Sequence, residues 1–196
     1  MRVGRYAQLI GSCVVLAAGV VLLLRSALGS DGYSTFVNGV SRATGWSFMV
    51  VNLIVGVTLV LLAWARGARP GIGTVAQPLV VGLTVSAGLQ VLDEPASTVA
   101  RALLLVLALP VLSAGVAGYL NTSTGAGPAE AAALSFDPPV PFRWGYNVLQ
   151  AVGASAGWLC GADIGPGTVA VVVAIGPAVA ALRRMLPSWD RPAATI

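Results

Sequence analysis

Long apolar runs separated by short polar segments dominate the hydropathy pattern of this chain. The first run, residues 6–24, is long enough at about 1.5 Å per residue to cross a hydrocarbon core roughly 30 Å thick. Five more runs follow, at residues 46–64, 75–92, 102–120, 144–162 and 169–182. The pattern therefore predicts six membrane-spanning helices.

Two shorter segments, residues 30–44 and 126–137, have a different pattern. In the first, apolar positions recur at the i, i+3, i+4, i+7 spacing of one helix face: Tyr33, Phe36, Val37 and Val40. The opposite face is polar, and Gly45 is a helix stop signal. We expect short, non-spanning helical segments that either lie at the membrane surface or re-enter the membrane against protein.

A six-residue motif occurs twice in the chain. Residues 71–76 read Gly-Ile-Gly-Thr-Val-Ala, and residues 165–170, 94 positions later, read Gly-Pro-Gly-Thr-Val-Ala. Residues 64 and 158 are both Trp at the same spacing, while Gly19, Leu24 and Gly29 recur 96 positions later. The sequence therefore divides into repeat one (6–95), repeat two (98–186) and a tail (187–196) within one membrane domain, 1–196.

Three spans in each repeat is an odd number, so the second repeat enters the membrane with reversed polarity. The expected fold is all-α: a polytopic transmembrane bundle of six spans, arranged as an inverted 3+3 repeat. Composition agrees, since 57% of residues are hydrophobic and 9% are charged, with a mean hydropathy of +0.86. Soluble domains carry about 25% charged residues, so the lipid bilayer is the expected solvent.

All eleven basic residues are arginines, and the chain has no Lys or His. They lie beside the apolar runs and not in a basic stripe, which argues against a nucleic-acid partner. With both termini cytoplasmic, the six-span assignment places eight arginines inside and two outside. The inside set is Arg2, Arg5, Arg66, Arg69, Arg143, Arg183, Arg184 and Arg191, and the outside set is Arg42 and Arg101.

Several segments together carry a resemblance to a known family. They are residues 28–45, 69–74 (Arg-Pro-Gly-Ile-Gly-Thr), 125–128 (Gly-Ala-Gly-Pro), 165–168 (Gly-Pro-Gly-Thr) and 175–177 (Ile-Gly-Pro). In these the chain resembles the YczE/YyaS/YitT family of bacterial integral membrane proteins. The resemblance implies a multi-pass protein of the bacterial plasma membrane, and it implies a fold more than an activity.

The chain departs from that family at two places. Gly32-Tyr33-Ser34 stands where the family usually has Pro-Trp-Asp, and Pro128-Ala129-Glu130-Ala131 stands where it has Pro-Arg-Asp-Gly. Roles that those Asp and Arg residues have in relatives therefore do not transfer to this chain.

Polar residues within or beside the apolar runs are the candidates for a substrate path: Arg25, Ser34, Asn38, Asn52, Glu130 and Gln150. Each has a simpler interpretation. Arg25 can extend to the headgroups, Glu130 can lie in a solvated loop, and an amide can bond a neighbouring helix.

The two Gly-x-Gly-Thr turns are the second set of candidates: Gly71, Gly73, Thr74, Gly165, Gly167 and Thr168. They are either hinges and backbone ligands, or tight turns in which the Thr caps the next helix. Neither turn is a P-loop, because no Gly-Lys-Ser/Thr follows.

The sequence contains no pattern of catalytic residues. There are no paired acids, no Ser-His arrangement and no Cys-His cluster, so we expect no enzyme, no metal and no cofactor. The inverted repeat indicates a small-molecule permease or exporter of unknown substrate. The alternative is a non-transporting scaffold or regulator, whose Gly- and Ala-rich faces pack against another membrane protein or a second copy.

The predicted topology can be tested with reporter fusions. A fusion after Ala68 should report the cytoplasm, because Arg66 and Arg69 mark that end of the second span. A fusion after Pro95, beyond the third span, should report the exterior. Alkaline phosphatase and green fluorescent protein fusions give opposite readouts, and the reverse result at both sites would refute the assignment.

Overall fold

The computed structural model describes residues 2–185, apart from the side chains at 2, 143 and 180. These residues form eight helices with no strand among them: α1 (Arg2–Ser26), α2 (Gly32–Thr44), α3 (Phe48–Ala65), α4 (Ile72–Val91), α5 (Thr98–Leu120), α6 (Pro128–Leu134), α7 (Phe142–Leu159) and α8 (Pro166–Met185). The all-α prediction is confirmed for this part of the chain, and the tail 187–196 lies outside it.

Five of these helices are long and apolar enough to cross a membrane. They are Val3–Ser26, Phe48–Ala65, Ile72–Val91, Thr98–Leu120 and Pro166–Met185. Many of their large apolar side chains are exposed, as expected for a protein whose solvent is lipid. The chain is therefore a multi-pass membrane protein.

Helix α7, predicted as the fifth span, has 18 residues but is not among these five helices. Polar residues interrupt its sequence, and the count of six spans therefore stays a prediction. The large exposed side chains of α7 are nevertheless apolar or aromatic: Trp144, Val148, Val152, Trp158 and Leu159. Asn147 and Ser155 are exposed as well. Several of its polar groups face the protein instead, as described below.

The two short helices confirm the predicted non-spanning segments. Helix α2 begins where the Asp31 carboxylate accepts a hydrogen bond from the Ser34 N–H at 3.0 Å, and it ends at Gly45, which has a φ of 73°. Its polar residues Ser34 and Asn38 are at most 8% exposed because that face packs against protein. Helix α6 has seven residues and begins with a proline, which suits the first turn of a helix.

Helices α1 and α5 cross at two glycines and form the centre of the bundle. A Cβ atom at Gly19 would lie 2.6 Å from the Leu112 backbone nitrogen, and one at Gly115 would lie 2.6 Å from the Leu16 Cβ. Only glycine permits this approach of two backbones. The two contacts match each other, since Gly115 and Leu112 follow Gly19 and Leu16 by 96 positions.

Each Gly-x-Gly-Thr turn packs against the opposite repeat. The Gly73 N–H donates to the Thr124 carbonyl at 2.9 Å, and the Gly167 N–H donates to the Leu28 carbonyl at 2.7 Å. Glycines with positive φ follow both acceptors: Gly29 at 101° and Gly125 at 127°. The end of the first helix of each repeat therefore receives the turn of the other repeat.

The short helices are exchanged in the same way, since α2 packs against α7 and α6 packs against α3. Arginine side chains form contacts at one end of each helix pair, α2 with α7 and α3 with α6. Arg42, in the last turn of α2, lies 2.9 Å from the Asp163 carboxylate beyond α7. Arg66, which follows α3, donates to the Ser135 carbonyl at 3.0 Å and lies 4.0 Å from the Phe136 ring centroid, just beyond α6.

The crossing of α1 and α5 predicts a strong difference between two glycines of the same helix. Gly19→Ala should destabilise the protein by about 1–3 kcal/mol, because the added methyl group overpacks the Leu112 backbone. Gly11→Ala is the matched control, since nothing lies within 4 Å of its Cβ position. Thermal unfolding in detergent should show a lower Tm for Gly19→Ala alone. Equal melting temperatures for the two variants would contradict the close crossing.

Candidate functional site

A cavity of about 660 Å³ lies within the bundle, and all eight helices contribute to its wall. Most lining residues are apolar, including Leu16, Val81, Leu112 and Val171. The polar lining residues are two acids (Asp31 and Glu130), four amides (Asn52, Gln77, Asn147 and Gln150) and four hydroxyls (Tyr33, Ser34, Tyr146 and Thr168). An apolar cavity of this size with a few convergent polar groups is typical of a small-molecule site, for which about 300–1,000 Å³ is usual.

The two short helices both begin at this cavity. Asp31 is the N-cap of α2, and Glu130 lies in the first turn of α6. Helix α2 starts beside the middle of α7, because a Cβ atom at Gly32 would lie 2.7 Å from the Gln150 Cα. Helix α6 starts beside the middle of α3, since the Pro128 ring lies 3.6 Å from the Cβ position of Gly56.

One wall of the cavity is a connected chain of hydrogen bonds. The Asn52 amide donates to the Pro78 carbonyl at 2.7 Å, and the Tyr33 hydroxyl donates to the Asn52 Oδ1 at 2.9 Å. The Tyr33 N–H donates to the Gln150 Oε1 at 2.9 Å, and the Gln150 Nε2 donates to the Tyr146 hydroxyl at 3.0 Å. Groups from α2, α3, α4 and α7 thus hold one another in fixed orientations.

Glu130 lies against the start of its own helix, opposite Gln77 of α4. A Cβ atom at Gly127 would lie 2.6 Å from both the Glu130 Oε2 and the Gln77 Oε1, so the two side chains converge above that glycine. Burial raises the pKa of the Glu130 carboxyl above its ordinary value, and the negative charge of Asp31 acts in the same direction. The Glu130 N–H and the Tyr119 hydroxyl favour the ionised form.

Four of the six predicted path residues line the cavity: Ser34, Asn52, Glu130 and Gln150. Asn38 is one turn beyond Ser34 on α2 and lines a separate small recess together with Asp163. Arg25 is also away from the cavity wall. Its guanidinium donates to the Leu89 carbonyl of α4, while its Nε is buried without a partner among the described residues.

The Gly-x-Gly-Thr turns contribute one lining residue, Thr168. The N–H groups of Gly73 and Gly167 are already bound to the opposite repeat, and the Thr74 hydroxyl accepts a hydrogen bond from the Gly71 N–H at 3.2 Å. This geometry favours a tight, capped turn at residues 71–74, whereas the Thr168 hydroxyl of the second turn is buried without a hydrogen-bond partner among the described residues. The role of both turns as hinges stays a prediction.

Sequence reasoning missed Asp31, Tyr33, Gln77 and Tyr146 as lining residues. The sequence pattern did not single out Asp31, and it placed Tyr33 on an apolar helix face, although the hydroxyl of a tyrosine can reach a polar wall. The 96-residue spacing of the repeat could have indicated Asp31. It aligns Ser34 of the first repeat with Glu130 of the second, and Asp31 lies three residues before Ser34. The acids from different repeats, separated widely in sequence, meet at one cavity.

Comparisons with known proteins place this chain in a group without an assigned activity. An uncharacterized protein of Haemophilus influenzae is 26% identical over 174 residues, which cover 84% of this chain and 77% of that protein. No solved structure matches the chain. The family model described as "Family of unknown function (DUF6198)" matches residues 3–184. The chain belongs to this family.

Proposed function

We propose that this protein carries a small molecule across the membrane through the cavity. The observation that carries the proposal is the cavity itself, whose wall is built by both repeats and contains convergent polar groups at the starts of two non-spanning helices. Discontinuous helices that begin near the middle of the bilayer are a recurring device for substrate sites in secondary transporters.

The proposal includes six spans arranged as an inverted repeat, with α7 as the fifth. Its support is the correspondence of contacts: Gly19 with Leu112 matches Gly115 with Leu16, and the bond from Gly73 matches the bond from Gly167. The large apolar side chains that α7 exposes also suit a helix that contacts lipid. We further propose the bacterial plasma membrane, cytoplasmic termini and kinship with the YczE/YyaS/YitT family, as the sequence predicts.

In the proposed mechanism the two repeats move relative to each other and open the cavity to one side of the membrane at a time. The hydrogen-bonded wall of Tyr33, Asn52 and Gln150 keeps the polar groups aimed at the substrate. The Gly-x-Gly-Thr turns at Gly73 and Gly167 are the proposed hinges. Each is hydrogen-bonded to the segment that follows the first helix of the other repeat. No covalent step is required.

Access of water to the cavity separates transport from a scaffold role. The native thiols Cys13 and Cys160 are free and are first replaced by alanine. Single cysteines at Ala154 and Gln150, which line the cavity, should then react with a membrane-impermeant thiol reagent added from either side. The reagent should label these cysteines from both sides of the membrane, because alternating access exposes the same position to each side in turn.

The control is Ala17→Cys, at a fully buried position of α1 that does not line the cavity. It should remain unlabelled from both sides. If cysteines at positions 150 and 154 react no faster than this control, the cavity is dry and the scaffold alternative is preferred. Metabolite profiling of a deletion strain, followed by uptake of the altered compounds into proteoliposomes, identifies the substrate.

A further inference from the structure

The charges that line the cavity have one sign among the described residues. Asp31 and Glu130 are acidic, and no arginine shares the wall with them. The chain has no Lys or His that could supply a positive charge in their place. Arginines with described ionic contacts are paired elsewhere: Arg42 with Asp163, and Arg101 with Glu94 at 2.7 Å.

Hydrogen-bond donors partly stabilise the negative charge of both carboxylates, but no cation among the described residues neutralises it. Asp31 accepts hydrogen bonds from the Ser34 N–H and, at 3.3 Å, from the Ser30 hydroxyl. The ionised form of Glu130 is stabilised by its own N–H and by Tyr119, whereas the negative charge of Asp31 disfavours it. Asp31 and Glu130 are partly buried, and withdrawing two such groups from water beside an apolar wall is costly unless a positive charge joins them.

A second, independent observation is the state of Tyr119. This residue of α5 is 1% exposed, and its hydroxyl has no hydrogen-bond partner of standard geometry within the described part of the chain. The hydroxyl nevertheless lies close enough to Glu130 to favour the ionised carboxylate. The Tyr119 hydroxyl is thus available to donate to the Glu130 carboxylate when that group is charged.

The rest of the wall suits a cation with an apolar body. Tyr33, Phe48 and Tyr146 supply aromatic rings, whose faces attract positive charge. Aliphatic residues from α1, α4, α5 and α8 supply the larger part of the remaining surface. A small inorganic cation would leave this apolar surface unused, and it would need several oxygen ligands in a tight cluster.

We propose that the cavity binds an amphiphilic organic monocation, with its positive centre between Asp31 and Glu130 and its apolar body against the aliphatic wall. This inference rests on the proposed function, because it names the substrate class of the same cavity. Binding does not itself require transport, however, so the two statements can fail separately.

A pair of probes with the same shape and opposite charge provides the test. Tetraphenylphosphonium and tetraphenylborate are titrated against the purified full-length protein in nanodiscs, with empty nanodiscs correcting for partition into lipid. The protein should bind the cation saturably and at least about tenfold more tightly than the anion. Equal affinity for both ions, preference for the anion, or no saturable binding of the cation would overturn the proposal.

Matched variants locate the charge. Glu130→Gln keeps the size of the side chain and should weaken cation binding at least about tenfold. Glu94→Gln makes the same chemical change at a surface ion pair outside the cavity and should leave the affinity unchanged. Asp31→Asn, which retains a capping side chain, is the second cavity variant. If both cavity variants are correctly folded and bind the cation as the wild type does, the assignment is wrong.

The affinity should also depend on pH with a definite sign. Because burial raises the pKa of Glu130, protons and the cation compete for this carboxyl at higher pH than for an exposed one. Cation affinity should fall as pH falls through that raised pKa, and Glu130→Gln should flatten the profile. The other titratable groups around it are Asp31 and Tyr33 at the start of α2, Tyr119 of α5 and Tyr146 of α7.

The outcomes separate the two proposals. Saturable cation binding combined with thiols that react from one side only would support the cation site and reject transport. Thiols that react from both sides combined with equal binding of the two probes would support transport and reject the cation as substrate. Neither result depends on the other measurement.

Discussion

Backbone polar groups in hydrocarbon must be satisfied inside the protein, and this constraint shapes the whole molecule. The chain leaves helical conformation after α1, between α3 and α4, after α5 and between α7 and α8. At these breaks the two repeats satisfy each other: the Gly73 N–H binds the Thr124 carbonyl, and the Gly167 N–H binds the Leu28 carbonyl. Glycine is needed there because a side chain would occupy the space of the opposite backbone. Each repeat is thus hydrogen-bonded to the end of the other's first helix, α1 or α5. These two helices also cross closely, at Gly19 and Gly115.

The same arrangement creates room for the cavity. Helices α2 and α6 are short and begin beside the middles of α7 and α3, so they leave space where longer helices would pack. The N-terminal ends of short helices bring Asp31 and Glu130 to that space. Asp31 caps the start of α2, but withdrawing two carboxylates from water beside an apolar wall is costly. In the proposed function, the cavity links this fold to the binding of a small molecule.

Much of this fold could be predicted from the sequence, and particular residues show why the rest could not. Apolar runs identified the five long helices, and the spacing of Tyr33, Phe36, Val37 and Val40 identified α2. The motif at residues 71–76 and 165–170 revealed the repeat, but not that each copy packs against the other half. That exchange depends on contacts between residues over 50 positions apart, such as Gly73 with Thr124, which periodicity does not encode. Arg25 and Asn38, two of the predicted path residues, lie away from the cavity wall, because sequence position does not tell which way a helix face turns.

The proposed transport requires that one cavity, shared by the two repeats, opens alternately to the two sides of the membrane. Counterflow in proteoliposomes tests it most directly, with a membrane-impermeant quaternary ammonium ion of the size that the cavity admits. Unlabelled ion trapped inside should accelerate the entry of labelled ion through the wild-type protein, and Glu130→Gln should abolish this acceleration. Binding of the ion by purified protein without any acceleration above that of protein-free liposomes would contradict the proposed transport.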